Sequence, residues 1–243
     1  MSSPTFHILP EQIAGNEATL TGDELRHARL TLRMRAGDAV RIVDGEGVSW
    51  NAFIQSMNKE KGTLTLSDKE VEPIPSFKLT IAMGIVPGDR FDWAIQKGTE
   101  LGASAFLPLI TERTEVKLKG GWKRLPRLQR VIVSASKQCG RSRFPIISEP
   151  VSLKELETDP YDLSVVFWEE KAVRHLKEVT EEIEPPESVL MVIGPVGGLT
   201  VDEVELLKDK GFKVAGMGQM VLRTETAVTV GAALLQFMWG DMS

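Results

Sequence analysis

The chain has 243 residues and a formal net charge of −5, with 42% hydrophobic and 26% charged residues, which excludes a disordered or collagen-like protein. No apolar run approaches the roughly 18 residues that span a bilayer, so no membrane association is expected. The N-terminal residues lack the pattern of a signal peptide, and the lone Cys139 excludes an internal disulfide. A cytoplasmic protein is expected, with Cys139 as a small buried side chain.

Residues 1–72 are predicted to form a small β-barrel with one inserted helix. The helix is expected between Asp23 and Arg33, because Leu25, Ala28 and Leu32 recur at helical spacing. Two prolines within Val71–Ser76 predict a linker, since proline interrupts both helix and sheet. The candidate strands are Thr5–Leu9, Ala39–Val43, Val48–Ser56 and Gly62–Leu66.

In residues 73–243 strands alternate with helices, which predicts an α/β domain with a parallel sheet covered on both faces. Thr200 and Glu203 have the spacing of a capping box at the start of a helix. The predicted strands are Leu79–Val86, Ala105–Ile110, Leu163–Trp168, Val189–Ile193 and Lys213–Ala215. The predicted helices are Phe91–Leu101, Trp122–Cys139, Lys171–Ile183, Thr200–Lys210 and a last one that carries Ala227, Val230, Gly231, Leu234 and Met238 on one stripe.

Two glycine-bearing loops follow successive strands of this second domain. They are I-G-P-V-G-G-L-T (Ile193–Thr200) and G-M-G-Q-M-V-L-R-T-E-T-A (Gly216–Ala227). Glycine has no Cβ, so a ligand can approach the main chain of such loops closely. The sequence carries no P-loop, no complete dinucleotide fingerprint, no cluster of metal ligands and no hydrolase nucleophile elbow. These features favour a protein that positions a reactive cofactor and holds no metal.

Charge is segregated along the chain. Ten basic residues and one acid lie between Arg113 and Arg143, whereas sixteen acids and five Lys or Arg lie between Glu149 and Asp209. A second basic cluster surrounds His27. Such segregation favours a nucleic-acid partner, although a solvated helix face is the alternative explanation. The predicted RNA-binding residues are Arg26, His27, Arg29, Arg33, Arg35, Lys119, Lys123, Arg124, Gln138 and Arg141. Trp122, among the lysines, is a candidate for stacking on a base.

Five motifs, in this order, resemble those of the bacterial 16S ribosomal RNA (uracil-N3)-methyltransferases of the SPOUT superfamily. They are K-G-T-E-L-G (Lys97–Gly102), P-L-I-T-E-R-T (Pro108–Thr114), S-K-Q-C-G-R (Ser136–Arg141), I-G-P-V-G-G-L (Ile193–Leu199) and V-L-R-T-E-T-A (Val221–Ala227). The segments His27–Met34 and Arg41–Gly47 are similar to the family's PUA-like RNA-binding barrel. The resemblance implies a SPOUT domain with a C-terminal trefoil knot in residues 73–243, and a homodimer.

The resemblance also implies S-adenosylmethionine as cofactor, bound by Ile193–Leu199, Met217–Thr224 and a contact near Leu109–Thr111. The implied binding residues are Leu109, Thr111, Ile193, Gly194, Pro195, Gly197, Gly198, Leu199, Met217, Gly218, Met220, Leu222, Thr224 and Ala227. Many members of the family carry glutamate where this chain has Val196, and acidic residues where it has Ser134 and Lys137. The main-chain donors of the loop survive these changes, so cofactor binding is still expected.

Methylation of uracil N3 requires loss of the N3 proton, and negative charge then develops on O2 and O4. A guanidinium near those oxygens stabilises that charge. Arg113 and Arg223 are the candidates, and Glu100 and Glu225 are the carboxylates that could accept the proton. The alternatives are a structural ion pair for Arg223 and a helix-capping role for Thr224 and Glu225. Glu100, in the last turn of a helix, is expected to have a specific partner.

The resulting hypothesis is N3-methylation of one uridine in 16S ribosomal RNA of the small subunit. Two alternatives stay open at this point. One is a non-catalytic RNA-binding or ribosome-assembly factor of the same fold. The other is a methyltransferase of this fold that acts on another RNA or on a 2′-hydroxyl.

Overall fold

The computed structural model describes residues 3–115, 122–170, 174–181 and 183–242. The chain divides into two compact units. The first comprises Met1–Ile74 and Val133–Phe144, and the second comprises Pro75–Ile132 and Pro145–Ser243. The assignment of Val133–Phe144 to the N-terminal unit was not anticipated from the sequence.

The first unit contains one six-stranded sheet in the order β1-β4-β5-β6-β3-β2. Only the β1–β4 pair is parallel. A short helix, α1 (Gly22–Arg26), continues into a π-helical turn, His27–Thr31, within the predicted helical segment. The strands are β1 (Thr5–His7), β2 (Ile13–Ala14), β3 (Glu17–Leu20), β4 (Ala39–Val43), β5 (Val48–Met57) and β6 (Gly62–Val71). Phe6, Leu25, Ala28, Ile42 and Leu64 are among the core residues of this unit.

Hydrogen bonds tie the segment Val133–Phe144 into the first unit. The Arg41 guanidinium donates to the Gly140 carbonyl at 2.9 Å, and Lys137 pairs with Glu24 at 2.6 Å. The Glu72 carboxylate accepts from the main-chain N–H and the hydroxyl of Ser142, both at 2.6 Å, and from the N–H of Arg143 at 2.9 Å. Burial raises the pKa of Glu72, but these hydrogen bonds and the Arg141 charge outweigh it, so the pKa is lowered overall.

The second unit is built on a fully parallel seven-stranded sheet. The order is β10-β8-β7-β12-β11-β13, with β9 paired to β8. The strands are β7 (Lys78–Gly84), β8 (Ala103–Ile110), β9 (Ile146–Ile147), β10 (Val151–Ser152), β11 (Leu163–Phe167), β12 (Ser188–Ile193) and β13 (Lys213–Ala215). The helices are α2 (Arg90–Glu100), α3 (Leu125–Cys139, which ends in the first unit), α4 (Leu176–Thr180), α5 (Val201–Asp209) and α6 (Thr224–Trp239).

Several predicted features differ from the structure. The helix expected over Lys171–Ile183 is shorter, with α4 at Leu176–Thr180 and residues 171–173 and 182 outside the described range. Trp122 precedes α3 and is buried, its ring 6.0 Å from that of Phe91, so the prediction that it stacks on a base is wrong. Cys139 is exposed, not buried. No helix in the described part of the chain is long and apolar enough to cross a membrane.

Candidate active site

A cleft opens at the carboxyl ends of β11, β12 and β13. The register places Phe167 beside Ile193 on one side and beside Ala215 on the other, so the three strands end side by side. The carboxyl edge of a parallel sheet is the usual position of a ligand site in α/β proteins. The cleft contains about 590 Å³ of space between atoms, part of which is open to solvent.

Both glycine-bearing loops reach this cleft. The predicted residues that line it are Ile193, Gly194, Pro195, Gly198, Met217, Gly218, Met220, Leu222, Thr224 and Ala227. The structure does not bring all the predicted residues to it. Leu109, in β8, and Leu199 are buried in the hydrophobic core, and Thr111 lines a separate cavity with Glu112 and Glu203. Gly197 lies in the same loop, but it is not among the lining residues.

Three residues at the end of β11 also line the cleft, although no sequence motif indicates them. They are Phe167, Trp168 and Glu169, joined by Val196 and Val221 from the two loops. Nothing in the local sequence around Phe167 resembles a binding motif. The signal that identifies these residues is the position of β11 between β12 and β13 in the sheet.

Close packing fixes the loop Ile193–Leu199. A Cβ on Gly194 would lie 3.1 Å from main-chain atoms of Gly198 and Leu199, and Gly198 adopts a φ of +68°, which favours glycine. The predicted capping box at the start of α5 is confirmed. Thr200 accepts from the N–H of Glu203 at 3.3 Å, and the Glu203 carboxylate accepts from the N–H of Thr200 at 2.9 Å. The loop is therefore held at both ends.

The two candidate arginines lie in different surroundings. Arg113 is exposed after β8 and donates to the Gly197 carbonyl at 2.6 Å, so it contacts the glycine loop directly. Arg223 is exposed and precedes α6 as its N-cap residue, without a side-chain capping bond. The helix-capping alternative for Thr224 and Glu225 is therefore wrong. Within the described residues, Arg223 forms no ion pair, which disfavours the structural alternative for it.

The two candidate carboxylates also differ. Glu100 is paired with Lys97 at 2.8 Å, one turn earlier in α2, which is the specific partner expected for it. Glu225 lies in the first turn of α6, next to the cleft residue Thr224. Its Oε2 atom is buried and has no hydrogen-bond partner among the described residues. A buried carboxylate oxygen without a partner is costly, and such atoms often have a functional role.

Most of the predicted RNA-binding residues of the first unit are exposed. Arg33, Arg35, His27 and Gln138 face solvent, and Arg29 and Arg141 are half-buried. Arg26 is exposed and forms an ion pair with Asp23.

The basic segment of the second unit is only partly available for a ligand. Lys123 is exposed, whereas Lys119 lies outside the described residues. Arg124 donates to the carbonyls of Val86 and Gly88 and to Asp92, all within 3.0 Å. These bonds join the residue that precedes α3 to the loop after β7 and to α2, which gives Arg124 a structural role. Its contact with RNA stays a prediction.

Two family models match the chain. An RNA methyltransferase domain model matches residues 72–236, and a model of an RNA methyltransferase PUA domain matches residues 20–67. The first match alone covers more than half of the chain. Together they cover both glycine-bearing loops and most of the six-stranded sheet.

Similar proteins carry related names. The ribosomal RNA small subunit methyltransferase E of Bacillus subtilis is 33% identical over 86% of this chain and 85% of its own length. The protein of the same name from Synechocystis is 32% identical over 93% of this chain and 75% of its own length. A structure of that enzyme from Neisseria gonorrhoeae bound to S-adenosylmethionine, 26% identical, superimposes with a TM-score of 0.88 over the whole of both chains. The structure of a methyltransferase from Legionella pneumophila with bound S-adenosylmethionine is 26% identical in sequence. It superimposes with a TM-score of 0.89 over the whole of both chains. The chain therefore belongs to the RNA methyltransferase family that includes the bacterial ribosomal RNA small subunit methyltransferases E.

Proposed function

We propose that this protein methylates N3 of one uridine in 16S ribosomal RNA, with S-adenosylmethionine as methyl donor. The observation that carries the proposal is the cleft at the ends of β11, β12 and β13, lined by both glycine-bearing loops in a chain of this family. The similar enzymes named above supply the cofactor and the substrate class.

The residues of the cleft suit this donor. The lining is largely apolar and main chain, which suits an adenosine, and Gly194 and Gly198 allow a close approach to the loop. Among the described lining residues the ionisable side chain is that of Glu169, a carboxylate, which suits a ligand of net positive charge. When bound, the donor supplies an electrophilic methyl group on a sulfonium sulfur.

The chain's own residues are proposed to prepare the acceptor. Arg223, exposed immediately before α6, is proposed to stabilise the negative charge that develops on O2 and O4 as N3 loses its proton. Arg113 holds the glycine loop through the Gly197 carbonyl and is a second candidate for those oxygens. Of the two carboxylates, Glu225 is favoured as proton acceptor because Glu100 is neutralised by Lys97.

Several finer points belong to the same proposal. Two domains are proposed, 1–72 and 73–243, with a trefoil knot in the second. A homodimer is proposed because α2 and α6 expose apolar side chains, with Trp93 41% and Phe237 63% accessible. A cytoplasmic location is proposed for an enzyme with this substrate. The exposed arginines of the first unit and Lys123 are proposed to contact the RNA.

The reaction product tests the proposal. Purified protein is incubated with methyl-labelled S-adenosylmethionine and with unmethylated 16S RNA, either free or in small subunits, and the nucleosides are analysed by mass spectrometry. Labelled N3-methyluridine is the expected product. A 2′-O-methylated nucleoside would contradict the proposal and show that the enzyme methylates a ribose hydroxyl and not uracil N3. Tight RNA binding with no calorimetric signal for S-adenosylmethionine would indicate a non-catalytic factor.

A further inference from the structure

Glu169 is distinctive in the wall of the cofactor cleft. It follows β11, at the point where that strand ends beside β12 and β13. The other described lining residues contribute apolar side chains, main-chain groups and the Thr224 hydroxyl. Among the described lining residues, Glu169 therefore carries the charged side chain. The side chain forms no hydrogen bond or ion pair with another described residue. A carboxylate in this position remains available to a ligand.

The Glu169 carboxylate lies against the glycine loop. A Cβ built on Gly198 would lie 2.2 Å from Oε1 of Glu169, so this oxygen occupies the space next to Gly198 that a side chain would take. The neighbouring loop position is Val196, which carries no charge. The negative charge of this part of the cleft therefore comes from the strand end and not from the loop.

We propose that Glu169 determines the preference of the site for the sulfonium donor over the thioether product. This inference rests on the proposed function. In methyl transfer the S–CH3 bond breaks and an N3–CH3 bond forms. The electron pair stays on sulfur, which becomes neutral, and the N3 proton passes to a base. Donor and product share the adenosine, the ammonium and the carboxylate, and they differ in the methyl group and in one positive charge.

A carboxylate that lines the cleft is attracted to that extra charge only while the donor is bound. Because Glu169 is exposed to solvent, the attraction is screened, and the expected preference is about threefold to tenfold in dissociation constant. Because the product lacks the sulfonium charge, it is bound more weakly than the donor and dissociates more readily after each turnover. Glu169 is thus a specificity residue that favours exchange of spent cofactor for fresh donor.

Calorimetric titrations of the full chain test this assignment with three ligands. S-adenosylmethionine carries a sulfonium, sinefungin carries an ammonium near the same position, and S-adenosylhomocysteine is neutral there. Glu169→Gln is expected to raise the dissociation constants of S-adenosylmethionine and sinefungin by about threefold to tenfold. The dissociation constant of S-adenosylhomocysteine is expected to change by less than about twofold. Glu169→Asp keeps the charge and is expected to retain most of the preference. Glu170→Gln removes the adjacent exposed carboxylate, which does not line the cleft, and is expected to change none of the three.

Two outcomes overturn the assignment while leaving the proposed function intact. Equal weakening of all three ligands would place Glu169 on a part that they share, such as the ribose hydroxyls or the α-ammonium. Unchanged affinities would remove Glu169 from recognition altogether. If the unsubstituted protein binds none of the three ligands, the proposed function itself fails.

The salt dependence of binding provides a second measurement. Raising the salt concentration should reduce the ratio of the product and donor dissociation constants in the unsubstituted protein but not in Glu169→Gln.

Discussion

The end of strand β7 and the first glycine-bearing loop are in direct main-chain contact through Gly84 and Pro195. A Cβ built on Gly84 would lie 2.4 Å from the Pro195 nitrogen and 2.8 Å from its Cα. Gly84 does not have a positive φ, so the need for glycine here comes from packing and not from backbone conformation. The pairing of β7 with β12 creates this contact, and Pro195 lines the cleft immediately above it.

Gly84→Ala is therefore expected to displace the loop that lines the cofactor cleft. The neighbouring atoms belong to the main chain and cannot move aside as a flexible side chain would. We expect a loss of about 1–3 kcal/mol in the free energy of unfolding, with S-adenosylmethionine affinity reduced at least about tenfold. Chemical denaturation and calorimetry measure the two effects. Gly62→Ala is the control, because its Cβ would meet neighbours at no less than 3.5 Å. Normal cofactor binding by Gly84→Ala would contradict the packing argument.

Arg223→Ala and Arg113→Ala are expected to differ in kind. Arg223 is exposed and forms no ion pair with a described residue, so its loss should lower kcat by about 10²–10³ while the S-adenosylmethionine Kd changes little. Arg113 holds the Gly197 carbonyl, so its loss should weaken cofactor binding as well as turnover. Single-turnover kinetics and calorimetry separate the two effects. Equal losses of turnover and affinity in Arg223→Ala would make that residue part of the scaffold.

Glu225→Gln is expected to reduce kcat by about 10²-fold, the usual contribution of a general base. Its unpartnered Oε2 atom means that little structural interaction is lost with the charge. Glu100→Gln is the matched comparison, and it should change kcat only slightly because Glu100 is held by Lys97. Methyl-transfer rates at saturating cofactor and RNA provide the measurement. A larger effect at Glu100 than at Glu225 would reverse the assignment.

The lowered pKa of Glu72 predicts how the first unit responds to acid. Burial raises this pKa, but the Ser142 and Arg143 hydrogen bonds and the Arg141 charge lower it below its ordinary value of 4.5. A carboxyl with a lowered folded-state pKa stabilises the protein above its unfolded-state pKa. That stability is lost as the pH falls through the folded-state pKa. Glu72→Gln should therefore lower the free energy of unfolding by about 1 kcal/mol near neutral pH. This difference should become smaller as the pH drops below 4.5.

Denaturant titrations across pH measure this difference. Glu70→Gln, at an exposed position of β6, the strand that Glu72 follows, is the control and is expected to change the free energy of unfolding less than Glu72→Gln near neutral pH. A constant difference between the unsubstituted protein and Glu72→Gln from pH 7 down to pH 3 would argue against a role for the charge.

The exposed arginines after α1 predict a salt-dependent contact with RNA. Neutralising Arg33 and Arg35 with glutamine should lower the slope of log K against log salt by about 0.7–0.9 for each phosphate contact that is lost. Lys59 and Lys61, exposed between β5 and β6, provide a control pair with the same change in net charge. Filter binding at several salt concentrations gives the slopes. A slope for the Arg33 and Arg35 variant equal to that of the unsubstituted protein would mean that these two residues contact no phosphate.

Much of the second unit follows from local sequence. The β7, β8, β11, β12 and β13 segments are apolar runs bounded by turn residues, and they begin and end within a few residues of the predicted limits. The Thr200–Glu203 capping box is encoded in four residues and forms as predicted. The strands β2, β9 and β10 have two residues each and β3 has four, so they carry too little periodicity to be predicted from the sequence.

The sequence by itself determined the alternating strand and helix pattern, the two glycine-bearing loops and the motifs that indicate the family. Tertiary structure alone decided that β11 lies between β12 and β13, and with it that Glu169 lines the cleft. It also decided that the Arg124 guanidinium donates to the carbonyls of Val86 and Gly88. The physical reason is that periodicity, turns and caps are local properties of the chain. Strand order and side-chain partners depend on contacts between residues far apart in sequence.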